Sequence, residues 1–201
     1  MSTFAAIAAA GLALGASSGA LANTYNLDID HCTGGCSNGT LPFGTVQVTQ
    51  NGANLDFLVT LNSTYVFQKS TGFDAFAFGF DNSPGAITNI TAGFSAGPSP
   101  TGQDGFGNFQ LGISKAATGG QSLAFTVLTE TIAHLAFSTN PPGDTSVLFA
   151  ADIMGNGNTG NVGGSTLVAG VPEPASWGMM LLGFVGLGFA FRQQRRRVSF
   201  A

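Results

Sequence analysis

Between residues 23 and 154 apolar side chains recur at every second position in short runs. Tyr25, Leu27 and Ile29 alternate with polar neighbours, and Val46 and Val48 do the same. After Asn51-Gly52 the alternation resumes at Leu55, Phe57, Val59 and Leu61. A period of two is that of a half-buried strand, and Asn-Gly between two such runs predicts a hairpin. Similar runs predict strands over Asp74–Asp81, Ile87–Thr91, Phe109–Ile113, Leu123–Val127, Ala133–Phe137 and Val147–Ile153. Turn-forming stretches rich in Gly, Pro, Ser and Asn separate them, and no run of helical period interrupts the series. About eight to ten short strands at this spacing predict an all-β ectodomain, an antiparallel β-sandwich of jelly-roll-like type. From Gly155 to Gly170 the chain turns to Gly and Asn, which reads as a loop passing into a flexible spacer.

The two ends follow other rules. Phe4 to Leu14 is an apolar run of Ala, Leu, Ile and Gly, and small residues follow from Gly15. Ala20-Leu21-Ala22 then supplies a small-x-small cleavage pattern ahead of Asn23. Residues 1–22 therefore read as a secretory signal peptide, although Met1-Ser2-Thr3 carries no basic side chain. Either the amino group alone supplies that positive charge, or the true start lies upstream.

At the other end Val171-Pro172-Glu173-Pro174 precedes seventeen uncharged residues, Ala175 to Phe191. That length is at the short end for a membrane helix, about 17–25 residues. Trp177 suits one interface, and Arg192, Arg195, Arg196 and Arg197 suit the other. Because basic flanks stay cytoplasmic, this orientation leaves residues 23–154 on the outer side of the membrane. The prolines cannot continue a helix N-terminally, so they mark its outer end.

Charge sharpens the picture. Only 8% of the 201 residues are charged, and four of the six basic residues lie in the last ten positions. Between Asn23 and Gly170 two lysines, Lys69 and Lys115, face nine acids. A body that acidic has no means of neutralising phosphates, which excludes nucleic acid as a partner. Its Phe, Val, Ile and Leu content is nonetheless far too high for a disordered chain.

The ordered tail, quartet then Gly- and Leu-rich span then arginines, resembles the PEP-CTERM sorting domain, also labelled an ice-binding protein C-terminal domain. The resemblance is confined mainly to residues 171–201 and says nothing about ice: no rank of Thr-x-Thr repeats along the body. It implies processing by an exosortase, a membrane-embedded cysteine transpeptidase-like enzyme, near the Pro-Glu-Pro motif. It also implies an inner-membrane-anchored precursor with a periplasmic body, followed by release to the cell surface or a polysaccharide-rich extracellular matrix.

The body itself offers little chemistry. Cys32 and Cys36 are the two cysteines, and in an oxidising compartment they are expected to form a local disulfide. His31 beside them makes an incomplete zinc set, with no fourth ligand. His134 reads as a structural residue of a strand. No Gly-x-Ser-x-Gly elbow accompanies it, and Glu130 is the single glutamate of the body, so neither a hydrolytic triad nor a paired-carboxylate glycosidase is expected. Asp28 with Asp30, Asp104 with Asn108, and Asp152 with Asn156 and Asn158 are oxygen-rich, but none matches a calcium loop. The expectation is a non-catalytic surface or matrix protein without cofactor or metal. The alternative is a carbohydrate-binding module that holds extracellular polysaccharide on exposed, aligned rings such as Tyr25, Tyr65 or a Phe.

Overall fold

The computed structural model describes residues 21–37, 41–141, 145–168 and 180–185. In chain order the strands are β1 (Ala22–Leu27), β2 (Ile29–Cys32), β3 (Gly44–Asn51), β4 (Asn54–Leu61), β5 (Tyr65–Phe67), β6 (Phe76–Phe78), β7 (Ile87–Thr88) and β8 (Phe94–Ala96). They continue with β9 (Thr101–Gln103), β10 (Gly107–Phe109), β11 (Leu111–Lys115), β12 (Ser122–Val127), β13 (Phe149–Gly155), β14 (Asn158–Gly164) and β15 (Thr166–Leu167). The fold is all-β, and every strand pairing described is antiparallel. One sheet has the order β15-β1-β3-β4-β12-β7; the other runs β2-β14-β13-β6-β11-β8, with β5 added alongside β13.

The alternating runs become the first sheet. Val46, Val48, Leu55, Phe57, Val59, Leu61, Leu123, Phe125 and Val127 are all buried, while Gln47 and Leu58 between them are exposed. Those side chains meet Phe76, Phe78, Phe149 and Ile153 of the second sheet in one core. Rings cross the gap: Phe57 lies 5.2 Å from Phe78, and Phe125 lies 5.1 Å from Phe78, centroid to centroid. Aromatic pairs at this spacing contribute about 0.5–1.5 kcal/mol each beyond the area they bury.

The middle strands of the second sheet are covered on both faces. In β6 all three residues are buried, and in β13 only Met154 is exposed. Behind it the β9–β10 hairpin lays Phe106 and Phe109 against Ala77, Val147 and Ala150, forming a smaller core. Strands buried on both faces lose the period of two, because neither face needs polar side chains.

Three sequence expectations are corrected. The alternation from Tyr25 to Ile29 is not one strand in one sheet. The chain passes at Asp28 from β1 in the first sheet to β2 in the second, so Leu27 enters the main core while Ile29 packs on the smaller one. Ala133–Phe137 is not a strand: Ile132–His134 is a 3-10 turn, closed by His134 N–H donating to Thr131 O at 3.1 Å. It leaves only an isolated bridge between Leu135 and Phe80.

The Gly/Asn-rich segment is no loop and spacer either. β14 lies inside the second sheet, paired with β13 on one side and β2 on the other, and β15 then joins β1. One antiparallel register runs through both pairings, from Cys32 opposite Gly160 to Tyr25 opposite Leu167. The first and last strands thus form a continuous ribbon that turns the corner between the sheets. Its glycines serve close approach rather than flexibility. A Cβ at Gly164 would lie 1.8 Å from the Asn26 carbonyl oxygen, and one at Gly163 would lie 2.8 Å from the Phe106 ring.

Candidate functional site

At the ribbon's open end the described limits of the body, Leu21 and Val168, are both held by backbone hydrogen bonds. Gln50 N–H donates to Leu21 O at 2.8 Å, and Val168 N–H donates to Thr24 O at 2.7 Å. Ala22 and Asn23, the expected cleavage point, already belong to β1, opposite Thr49 and Val48. Three residues beyond Val168 the sequence reaches Val171. Ala20, the motif Val171-Pro172-Glu173-Pro174, Trp177 and the arginines at 192, 195, 196 and 197 lie outside the described residues. Within the expected membrane span residues 180–185 are helical, with Met180, Leu181, Leu182, Phe184 and Val185 all exposed. Among the described residues no helix is long and apolar enough to cross a membrane.

Cys32 and Cys36 form a disulfide with Cα atoms 5.5 Å apart. Asp30 organises this small loop: its carboxylate accepts the backbone N–H groups of Cys32 and Cys36 at 2.9 Å and of Ser37 at 3.0 Å. Gly34 and Gly35 take the left-handed backbone the turn requires, with φ of +82° and +78°. Asn158 then donates to Gly35 O at 2.6 Å, and Asn156 and the Tyr65 hydroxyl both donate to Cys36 O. Asp30, Cys32 and Cys36 are close enough to share an ion, yet both sulfurs are committed to each other and offer no thiolate. His31 instead stacks edge-on to Phe106, with centroids 4.8 Å apart.

The oxygen-rich clusters do not converge. Asn156 and Asn158 are engaged at the cysteine loop, while Asp152 is buried and accepts a short hydrogen bond from the Ser70 hydroxyl. Burial pushes the Asp152 carboxyl up from the usual range, against the opposing pull of the Ser70 bond. Asp104 uses its carbonyl to accept from Asn161. Asn108 pairs through its backbone with Thr139.

Tyr25 and Tyr65 are buried, at 7% and 1% exposure, so neither ring is displayed for a sugar. Phe73 and Phe137 are the exposed rings of the described body. Phe137 borders an open cleft of about 320 Å³, whose rim also carries Asp81, Asn108 and Thr139.

Sequence reasoning treated His134 and Glu130 singly, and the structure brings them together. Glu130 is 1% exposed, with Oε1 accepting from Asn82 Nδ2 at 2.8 Å and lying 3.3 Å from His134 Nδ1. The signal available in the sequence was Glu130 and His134 four residues apart, a spacing that faces inward only if the segment turns.

No curated protein and no solved structure matches this chain. Residues 170–197 match the family model of the PEP-CTERM protein-sorting motif, so this segment carries the sorting signal its quartet, apolar span and arginines resemble.

Proposed function

We propose that this chain is an exported, non-catalytic surface or extracellular-matrix protein that an exosortase sorts and processes through its tail. The observation that carries the reading is the match of residues 170–197 to the sorting motif. Residues 1–22 act as the signal peptide and residues 175–191 as a transmembrane helix that holds an inner-membrane precursor with its body in the periplasm. Support comes from the exposed apolar side chains all round residues 180–185, a surface suited to lipid rather than water. The adjacent exits of β1 and β15 also suit a chain held in one membrane at both ends. The body is then an antiparallel β-sandwich, jelly-roll-like in outline, whose role is to pack.

A carbohydrate-binding module is the second reading. The cleft beside Phe137 favours it, since an exposed ring flanked by the carboxylate of Asp81 and the amide of Asn108 is the equipment a pyranose needs. Burial of both tyrosines weighs against an extended aromatic platform.

The direct test is pulse-chase in the native host with and without the exosortase gene. Glu173→Ala is expected to leave an unprocessed precursor in the inner membrane. Equal maturation of mutant and wild type, both reaching the surface, would reduce the tail to an anchor.

A further inference from the structure

We propose that Glu130, His134 and Asn82 form a binding site for a divalent transition-metal ion of the zinc class. Three elements converge to build it. Glu130 is pinned through its backbone, which donates to Ala53 O and accepts from Gln50 Nε2 at 3.0 Å. The 3-10 turn brings His134 back over it, and Asp81 N–H donates to His134 O at 2.9 Å. Gln110 holds the Asn82 loop, donating to Asn82 O at 2.6 Å and accepting from Phe80 N–H. The ligand positions are therefore fixed by backbone hydrogen bonds and not by the polar contacts among the side chains themselves.

The cluster has acceptors without donors. Glu130 Oε2 and Asn82 Oδ1 are buried and have no hydrogen-bond partner. A buried carboxylate is stable only when its charge is met. Among the described residues the one ion pair is Glu130 with His134, and no lysine approaches it. Asn82 Nδ2 also lies 2.5 Å from His134 Nδ1, closer than a hydrogen bond between nitrogens runs. Turning the Asn82 amide over gives up its donation to Glu130 Oε1 and brings the unpartnered oxygen to that position, leaving acceptors alone around the site. Three ligand atoms, one nitrogen and two oxygens, then stand 2.5, 2.8 and 3.3 Å from one another. The 3.3 Å between His134 Nδ1 and Glu130 Oε1 suits two ligands sharing an ion at about 2.0–2.2 Å. The shorter Asn82 contacts open as the ion enters, and the second Glu130 oxygen is free to join. Imidazole with carboxylate favours zinc, nickel or copper over calcium or magnesium. The His134 side chain is 44% exposed, which gives the ion a route in and leaves coordination positions to water.

The test uses the mature protein purified from its host, stripped with a chelator and titrated with zinc chloride in mildly alkaline buffer. Expected are one zinc per chain by calorimetry, a raised melting temperature that the chelator reverses, and a visible absorption band on cobalt substitution. His134→Ala, an exposed change that leaves the fold intact, should weaken zinc binding by more than about tenfold. Glu130→Gln, nearly isosteric, should do the same, whereas His31→Ala should change nothing. Wild type that fails to take up zinc overturns the proposal, and so does uptake that His134→Ala leaves unaltered. In either case the cluster is a hydrogen-bonded contact alone.

Discussion

Asp74, Glu130 and Asp152 are buried carboxylates in a body that holds two lysines. Their side-chain partners are neutral donors or histidine, and Asp74 Oδ2 and Glu130 Oε2 have no partner among the described residues. Asp74 rests on bare backbone: its Oδ2 lies 1.8 Å from where a Cβ at Gly112 would be. Gly112→Ala should therefore cost about 1–3 kcal/mol in urea unfolding, and Asp74→Ala added to it should recover part of that loss. If the two changes simply add, the carboxylate is not what the glycine accommodates. Asp152 gives a dependence on pH. Burial raises its carboxyl, so the folded state holds that proton more tightly than the unfolded chain. Its contribution is most favourable below the ordinary carboxylate range, shrinks as pH climbs from there to the raised folded value, and is an unchanging penalty above. Asp152→Asn, which can keep the Ser70 contact, should flatten that segment of the stability–pH curve and raise the urea midpoint at neutral pH. An unchanged curve would show that Asp152 is met by a charge or donor other than Ser70.

At the scale of elements the decisive case is β14. Composition made it a spacer, yet its glycines are the contacts that let the terminal ribbon turn between sheets. Gly164→Val would drive a side chain into the Asn26 carbonyl, which cannot move without breaking the β1 pairing. A loss of at least about 2 kcal/mol is expected, whereas Thr159→Ala, exposed on the same strand, should stay within about 0.5 kcal/mol. Equal, small effects in thermal melts would restore the spacer. The disulfide is an element of similar size. It closes so short a loop that its entropic contribution is about 2 kcal/mol at most, and Asp30 holds the same turn by hydrogen bonds. Cys32→Ser should accordingly leave the body folded, judged by its near-ultraviolet circular dichroism. What the sequence made legible follows from these contrasts. β3, β4 and β12 were readable because one face is wet, and Asn51-Gly52 marked their hairpin. β6 and β13 were found with blurred ends, because burial on both faces erases alternation. Ile132 and Leu135, three apart and both packed on the core, carried the 3-10 period that a strand reading of Ala133–Phe137 passed over. The sorting motif was legible in full, since a signal read by an enzyme is written in linear order. The Glu130–His134–Asn82 cluster was not, since Asn82 lies 48 residues from Glu130 and only the fold unites them.

Across the whole molecule, both ends of the body emerge from one edge of one sheet, and that constrains how the tail can be handled. Val168 is still hydrogen-bonded to β1, so chain geometry alone keeps Val171 within roughly 11 Å of the folded body, at about 3.6 Å per residue. With residues 175–191 in the bilayer as proposed, the all-β body would lie close to the membrane surface. The enzyme must then reach a motif flanked on one side by lipid and on the other by packed protein. On that proposed arrangement clearance is expected to limit the rate, and release of β15, two residues long, from β1 is a short route to a longer tether. Ten Gly/Ser residues inserted between Ala169 and Gly170 should therefore speed maturation several-fold in pulse-chase. Val168→Pro, which removes the N–H that donates to Thr24 O, should give a smaller gain in the same direction. Circular dichroism on the secreted body would verify that neither change unfolds it. Maturation at the wild-type rate in both would mean that the processing enzyme accepts the folded body at close range. Slower maturation in both would mean that it docks on the sheet edge and uses β15 as part of its signal.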